Sequence, residues 1–307
     1  MSSEAAAQQP VTKWEFQQGD EMMPGRYALE HLGGGHRYEA YLAWDDHLFT
    51  LVVIKIVRPH LVEDQSTLNG LEQEINSLRR LHHPMLVRSF GGTIRGSRPH
   101  VVLEHLEGPH LARLVRRTGP LPLEQLVPLA LQVASVVRYM SLEGVVHLDL
   151  KPRNIIMGTP PRLIDLSIAR SVSRARRVRG HVGTDLYMAP EQCDPKRWHT
   201  IGSPADVWGL GITLYHAAEG KRAFDRPKDY NEKDLEQRFP QLVGGPPPMS
   251  KHVPREMADI IMGCLQDDPA ARPDAQEITF QLEPVLGGLP RRRILGRPRP
   301  SIRRDKD

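Results

Sequence analysis

The stretch from Val145 to Met157 constrains the fold of this 307-residue chain more than any other segment. It reads VVHLDLKPRNIIM, with apolar pairs on both sides of a polar centre that contains Asp149, Lys151 and Asn154. Pro152 excludes a regular helix, because proline lacks an N–H and clashes with the preceding turn. The segment therefore predicts a loop of chemically capable side chains between two short buried strands.

A second apolar arm, Leu163-Ile164, follows and ends at Asp165. The residues between the arms, Gly158-Thr159-Pro160-Pro161, are typical of a turn. A hairpin of this kind would bring Asn154 and Asp165 together, and two oxygen ligands from adjacent strand ends suit Mg²⁺. Taken singly, each polar residue is equally explained by an ordinary turn.

Lys55 lies inside the apolar run from Leu51 to Val57, which is otherwise suited to a buried strand. A buried ammonium is costly unless it is paired or reaches a cleft. Residues 68–81 have helical apolar spacing, and Glu74 falls on the apolar face. A solvent-facing lysine and a solvated glutamate are the alternatives, but the two anomalies explain each other, so we favour an ion pair.

A glycine run, Gly33–Gly35, lies between two predicted strands. Glycines let backbone amides approach phosphates closely, although a flexible hairpin turn is a commoner cause of such a run. No helix is predicted directly after the run, which argues against a dinucleotide-binding fingerprint.

The remaining periodicity indicates a small β-rich lobe, a junction near Glu104–Gly108 and a larger helical lobe. Ser203 is expected to cap the helix at 204–219, and Gly287-Gly288 to close the helix at 274–286. Strands are predicted at Tyr27–Leu32, Ala40–Trp44, Leu48–Val57, Met85–Phe90 and His100–Leu106, and further helices at 122–142 and 254–266.

The net charge of +4 is unevenly distributed, because residues 291–307 hold eight of the 41 basic and two of the 37 acidic side chains. The rest of the chain carries −2, which argues against a nucleic-acid-binding domain. The tail is expected to be disordered, with contact to acidic partners or an anionic membrane as the alternative. No apolar stretch is long enough for a membrane span, and no signal peptide is evident. Two cysteines, Cys193 and Cys264, suggest reduced thiols in a cytoplasmic protein.

In order and spacing, these segments resemble the motifs of eukaryotic-type (Hanks-type) serine/threonine protein kinases, and the resemblance favours a soluble bacterial member of that family. The similarity runs from about Tyr27 to Leu286. The matching segments are Gly33 and Gly35 (glycine-rich loop), Val52–Lys55 (strand lysine), Glu74–Pro84 (glutamate-bearing helix), His147–Asn154 (catalytic loop), Asp165–Ser167 (metal-binding loop), Gly183-Thr184 and Met188–Glu191 (end of the activation segment), Asp206–Gly211 (central helix) and Asp268–Pro273 (late arginine motif).

The resemblance implies an α+β, two-lobed protein kinase fold with a small antiparallel β-rich N-lobe, one N-lobe helix and a larger, mainly helical C-lobe. We expect the N-lobe at 25–104 and the C-lobe at 105–286. A flexible segment at 1–24 and a basic tail at 287–307 are expected to flank them.

The resemblance also implies individual roles. Asp149 would orient the substrate hydroxyl and accept its proton, and Lys151 would steady the γ-phosphate. Lys55, held by Glu74, would contact the α- and β-phosphates. Asn154 and Asp165 would hold Mg²⁺, or Mn²⁺ in its place. The implied ATP-binding set is Leu32, Gly33, Gly34, Gly35, Ala40, Val53, Lys55, Leu103, Glu104, Leu106 and Asn154.

Further positions carry structural roles by the same resemblance. Leu103 is at the gatekeeper position, and Glu191 with Arg272 would form an ion pair. Thr184 would hydrogen-bond the catalytic aspartate. Asp206 would brace the catalytic loop, with helix capping after Ser203 as the alternative.

Four positions depart from the family pattern. Tyr38 replaces the third loop glycine, which predicts a stiffer loop with an aromatic ring near the phosphates. Ala40 replaces a valine and Ser167 a glycine. Leu148 replaces the arginine that commonly docks a phosphate of the activation segment, so such a phosphate is expected to be dispensable. The same segment is rich in arginine near Ser171 and Ser173, namely Arg170, Arg174, Arg176, Arg177 and Arg179.

The predicted activity is ATP-dependent transfer of the γ-phosphoryl group to serine or threonine hydroxyls of a protein substrate. Lys151, two residues after the catalytic aspartate, is similar to serine/threonine rather than tyrosine kinases. The alternative is a pseudokinase, a nucleotide-binding or scaffolding module that transfers no phosphate. A kinase-like small-molecule phosphotransferase is disfavoured by Thr184 and Ala189-Pro190-Glu191, which resemble a peptide-binding segment.

Overall fold

The computed structural model describes residues 12–198 and 201–289. Its first lobe is a six-stranded antiparallel sheet in the order β1-β2-β3-β4-β6-β5. Helix α1 packs against β5. The elements of this lobe are β1 (Glu21–Met23), β2 (Arg26–Gly34), β3 (Tyr38–Asp45), β4 (Thr50–Val57), α1 (Gln65–Arg80), β5 (Ser89–Thr93) and β6 (His100–Glu104).

Strand β4 shows how the pattern sets the two faces of this sheet. Val52, Ile54 and Ile56 are buried on one face, where they pack with Tyr41 and other apolar residues of the neighbouring strands. Because side chains alternate along a strand, Lys55 projects from the opposite face. That face covers the junction between the lobes.

The second lobe is mainly helical, with α3, α7, α9 and α10 packed together. Its helices are α2 (Leu111–Thr118), α3 (Leu123–Leu142), α4 (Val172–Ala175), α5 (Pro190–Cys193), α6 (Pro195–Trp198), α7 (Ser203–Glu219), α8 (Leu235–Arg238), α9 (Arg255–Cys264) and α10 (Ala275–Gly288). Its short strands are β7 (Val145–Val146), β8 (Ile155–Ile156), β9 (Arg162–Leu163) and β10 (Arg170–Ser171). The predicted two-lobed α+β architecture is confirmed.

The N-terminal boundary differs from the expectation of a flexible segment at 1–24. Trp14 Nε1 donates to the Val57 carbonyl at 2.7 Å, and the ring of Phe16 meets Tyr41 edge-on. Met22 in β1 is fully buried. Trp14, Phe16, Met22 and Met23 therefore pack on the outer face of the sheet, where they cover apolar surface that the sheet would otherwise expose. Residues 1–11 lie outside the described residues.

The strand predicted at Met85–Phe90 begins four residues later. Val87 N bonds to the Leu163 carbonyl at 3.0 Å, and Leu86 bridges to the same residue. Residues 85–87 therefore pair with Leu163 of the β8–β9 hairpin in the second lobe, and contact with the sheet resumes at Arg88, whose carbonyl accepts from Glu104 N at 3.0 Å.

Two predicted helix ends were wrong. The N-cap of α7 is Gly202, and the Ser203 hydroxyl instead faces Ser141 at 3.0 Å. Gly287 and Gly288 continue α10, which is capped at Leu289, because both glycines keep helical backbone. The basic run at 291–307 lies outside the described residues. Within 12–198 and 201–289, no helix is long and apolar enough to cross a membrane.

Candidate active site

A cleft of about 790 Å³ lies between the two lobes. Apolar side chains line it from both sides, while Lys55, Asn154 and Asp165 enter at one end. The apolar side chains are those of Leu32, Ala40, Val53, Val87, Leu103, Leu106, Pro109, Ile156 and Ile164. A cleft with apolar walls and a lysine ammonium suits a ligand that joins an aromatic ring to an anionic group.

The Lys55 side chain contacts residues of both lobes. Its ammonium lies 2.7 Å from Glu74 Oε2 on α1 and 2.8 Å from Asp165 Oδ1 of the second lobe. Glu74 is fully buried on the inner face of α1, as its place in the apolar stripe predicts. The predicted ion pair between Lys55 and Glu74 is present.

The electrostatics of this trio favour a charged lysine. Burial alone would lower the pKa of Lys55, but the attraction of Asp165 and then of Glu74 is stronger, so the pKa is raised. Burial would raise the pKa of Asp165, but the same ammonium holds it below its ordinary range. Burial raises the pKa of Glu74 against the opposing effect of Lys55. A full positive charge therefore stands at the end of the cleft.

Asn154 and Asp165 are brought together by the predicted hairpin. Ile155 pairs with Leu163 across β8 and β9, and Ile164 N donates to the Asn154 carbonyl at 2.8 Å. The Asn154 amide nitrogen donates to the Asp149 carbonyl at 2.9 Å. The side-chain oxygen of Asn154 is therefore the atom left to act as a ligand.

This donor set fits Mg²⁺. Asn154 and Asp165 offer oxygens, and across 12–198 and 201–289 no group of three or more His, Cys, Asp or Glu side chains is placed to hold a metal. Mg²⁺ usually takes one or two protein ligands and completes its shell with phosphate and water. The site therefore suits a cation that arrives with a phosphorylated ligand.

Asp149 is held in a compact polar network. Its Oδ1 accepts from the Thr184 hydroxyl at 2.7 Å, and its Oδ2 accepts from Lys151 Nζ at 2.5 Å. Lys151 also donates to the Thr184 hydroxyl at 2.5 Å. The network fixes a carboxylate beside a cation, an arrangement that can accept a proton while steadying a nearby anion.

Asp206 braces the loop that carries Asp149. Its two carboxylate oxygens accept from the backbone N–H groups of His147 and Leu148, at 2.7 and 2.8 Å. Burial raises the pKa of Asp206, while the His147 imidazole and these N–H groups oppose the shift. Leu148 has a left-handed φ of 66°, which is unfavourable for a leucine. The bracing role is therefore observed, and the helix-capping alternative is not.

The other predicted contacts fall into two groups. Leu103, Glu104 and Leu106 line the cleft, and because the Glu104 carboxylate pairs with Arg88 and Arg162, this residue offers the cleft its backbone. Gly33 and Gly34 also line the cleft. The lining does not include Gly35, Asp149 or Lys151, and the Gly35 carbonyl accepts from Arg58 Nε at 2.8 Å.

Sequence reasoning overlooked several lining residues. Ile156 and Ile164 are the apolar arms of the hairpin, so alternation along those arms was a usable signal. His110, Arg113 and Arg153 also line the cleft. Arg153 belongs to the segment His147–Asn154, so its sequence position was a usable signal. No local pattern marks His110 and Arg113, which reach the cleft through the packing of α2 beside that segment.

The ion pair between Glu191 and Arg272 is present and buried. The guanidinium donates to both carboxylate oxygens, at 2.7 and 2.8 Å. It also donates to the backbone carbonyls of Pro204, Gln266 and Asp267. This hub ties α5 and α7 to the segment that precedes α10.

Three of the four departures from the family pattern are also located. Leu148 is buried, and Ala40 lines the cleft with a small side chain. Tyr38 does not cover the glycine-rich loop; its hydroxyl donates to the Thr67 carbonyl on α1 at 2.9 Å. The expected aromatic ring therefore stands beside Lys55, at 4.7 Å from its ammonium.

Comparison with known proteins agrees with this geometry. The family model described as "Protein kinase domain" matches residues 27–281. The serine/threonine-protein kinase PkaA of Streptomyces coelicolor is 31% identical over 245 residues, which cover 78% of this chain and 44% of the relative. For AfsK of the same organism the identity is 31% over 263 residues, covering 85% and 32%.

A third relative, the serine/threonine-protein kinase PknB of Mycobacterium leprae, is 26% identical over 279 residues. That match covers 86% of this chain and 44% of the relative. The chain thus spans less than half the length of each of these three curated relatives.

Proposed function

Because the chain belongs to the protein kinase family, we propose that it is an ATP- and Mg²⁺-dependent kinase that phosphorylates serine and threonine hydroxyls of proteins. One observation carries the proposal: the Lys55 ammonium joins Glu74 and Asp165 at one end of the cleft. The other charged side chains that the proposed reaction needs, Asp149 and Lys151, pair with each other at 2.5 Å.

In the proposed mechanism the apolar slot holds adenine, and the peptide groups from Glu104 to Leu106 face its polar edge. Lys55 binds the α- and β-phosphates. Asn154 and Asp165 are the side chains that would hold Mg²⁺, which neutralises charge on the phosphates when bound.

Asp149 orients the serine or threonine hydroxyl and takes up its proton as the new oxygen–phosphorus bond forms. The bond between the γ-phosphorus and the bridging oxygen breaks, and ADP leaves with that oxygen. Lys151 stabilises the negative charge on the transferred group, because it stands beside Asp149 in the same network.

Four finer elements belong to the same proposal. The ion pair between Glu191 and Arg272 stabilises the fold and takes no part in phosphoryl transfer. The protein substrate is expected to dock near Thr184, and the basic tail is a candidate contact for acidic partners or an anionic membrane. A cytoplasmic location is consistent with the free thiols of Cys193 and Cys264, both buried.

The test is transfer of label from γ-labelled ATP, with Mg²⁺, to a generic basic protein by the wild-type chain and by Asp149→Asn. Loss of the proton acceptor should slow transfer by at least about 100-fold. Asp259→Asn, an exposed carboxylate on α9, is the matched control and should retain wild-type rates.

Equal incorporation by wild type and Asp149→Asn would refute the catalytic proposal. Nucleotide binding is measured separately by titration calorimetry with ATP and Mg²⁺. Binding without transfer by the wild type would instead identify a nucleotide-binding scaffold. Acid hydrolysis of the labelled product, followed by separation of phosphoamino acids, distinguishes serine and threonine from tyrosine.

A further inference from the structure

Tyr38 connects the sheet to α1 beside the catalytic lysine. In the β3–β4 register Tyr38 pairs with Val57 and Ala40 with Lys55, so the tyrosine and the lysine project from the same face of the sheet. The Tyr38 hydroxyl donates to the Thr67 carbonyl on α1 at 2.9 Å. The side chain therefore spans the gap that the pair of Lys55 and Glu74 also spans.

The tyrosine meets a rigid part of α1. Asp64 caps this helix and accepts from both the backbone N–H and the hydroxyl of Thr67, each at 2.7 Å. Thr67 and Glu74 are both buried and lie two turns apart. A contact that fixes Thr67 therefore also fixes the distance of Glu74 from the sheet.

Gly70 supplies a second observation at the same place. Glycine is unfavourable inside a helix, yet Gly70 lies in the middle of α1. A Cβ added at Gly70 would be 3.1 Å from the Tyr38 hydroxyl oxygen and 3.7 Å from the Ser167 carbonyl oxygen. The glycine leaves room for the phenol, so the two residues form a matched pair.

The charge state of the phenol suits this contact. Burial raises the pKa of Tyr38 to about 12, and the Lys55 ammonium opposes that shift. The hydroxyl therefore remains a neutral donor at physiological pH. Its ring also faces the Lys55 ammonium at 4.7 Å, within the range of a cation–π contact.

We propose that Tyr38 is a positioning residue that holds α1 against the sheet and thereby keeps Glu74 paired with Lys55. The proposal rests on the kinase function proposed above, for which this pair is needed.

The first test does not depend on catalysis. Amide hydrogen exchange of α1 is measured by mass spectrometry in the nucleotide-free wild type and in Tyr38→Phe. Removal of one neutral hydrogen bond should speed exchange in α1 by about 3- to 10-fold. Tyr41→Phe is the matched control, since its hydroxyl bonds Glu39 from the same strand on the opposite face of the sheet.

The matched pair provides a second arm. Gly70→Ala should speed exchange in α1 in the wild-type background, because the new methyl group crowds the phenol. In Tyr38→Phe the same substitution should slow exchange, because the crowding oxygen is gone and alanine favours the helix. Unchanged exchange in Tyr38→Phe, or the same effect of Gly70→Ala in both backgrounds, would overturn the proposal.

Kinetics then tie the contact to the reaction. Tyr38→Phe should lower kcat/KM for ATP by about 3- to 10-fold, while the urea midpoint of the whole chain changes little, as expected of a positioning residue. A rise in kcat/KM would show that the ring obstructs the phosphates and would overturn the proposal. If the wild type transfers no phosphate, the kinase proposal fails, and the exchange experiment still decides whether Tyr38 holds α1.

Discussion

Asp206→Asn tests how the second lobe shapes the catalytic loop. Each carboxylate oxygen of Asp206 accepts one buried backbone N–H, from His147 and Leu148. Asparagine has the same shape but only one oxygen, so one N–H would face an NH₂ group that cannot accept. An unsatisfied buried donor costs about 1–3 kcal/mol.

The same contact maintains backbone strain next to Asp149. Leu148 has a φ of 66°, a conformation that costs about 1–3 kcal/mol and persists only where the surroundings impose it. A loss of about 2 kcal/mol corresponds to roughly a 30-fold change in population. We therefore expect kcat to fall by roughly 30-fold, with little change in KM for ATP, because Asp206 does not line the cleft.

Initial rates of phosphate transfer at saturating ATP measure the effect on kcat, and urea unfolding measures the effect on stability. Asp259→Asn serves as the control for removal of a carboxylate, because Asp259 is exposed on α9. If Asp206→Asn had a kcat within about twofold of the wild type and an unchanged urea midpoint, the bracing role would be refuted.

Three further predictions concern stability. Arg272→Met should lower the free energy of unfolding by about 3–5 kcal/mol, because it leaves the buried Glu191 carboxylate without its partner. Arg255→Ala, on the exposed side of α9, should change that free energy by less than about 1 kcal/mol. Urea unfolding measures both variants, and equal effects would contradict the burial argument. Against the effect of burial, Lys55 holds the pKa of Asp165 low; the folded chain then binds fewer protons than the unfolded chain, so this stabilisation is present above about pH 4 and is lost as the pH falls below it. Urea unfolding midpoints are measured down to about pH 3. The stability lost on acidification should be smaller in Lys55→Met than in the wild type. Gly211→Ala should destabilise by about 1–3 kcal/mol despite the better helix propensity of alanine, because its Cβ would lie 2.6 Å from a cysteine side chain on α9; a higher melting temperature would refute this.

Local patterns predicted much of the site. The hairpin that joins Asn154 and Asp165 follows from two short apolar arms around a turn, because their covalent separation leaves few other ways to bury both arms. The pairing of Lys55 with Glu74 follows from two buried charges of opposite sign on neighbouring elements. The details at element ends were less predictable: at Ser203 and Gly287 the residue type was suitable, but the packing of the helix moved the boundary.

Other features depend on contacts between distant parts of the chain. The strand expected to begin at residue 85 begins at Ser89 because Val87 bonds to the second lobe. The packing of Trp14 depends on a sheet face to which five strands contribute. Sequence spacing does not show which element will lie opposite such residues. Their partners depend on how all the elements pack to bury apolar surface.

The sequence by itself determined the family, the order of the lobes and the set of charged side chains, since these depend on residue type, local periodicity and short spacing. Only the tertiary structure decided what holds those side chains in place. Asp206 reaches a strained Leu148 from 58 residues away, and Tyr38 reaches Thr67 across the gap between sheet and helix. Such contacts require the two elements to be packed at a particular distance, and that distance is fixed by the buried surfaces of both lobes rather than by either segment alone.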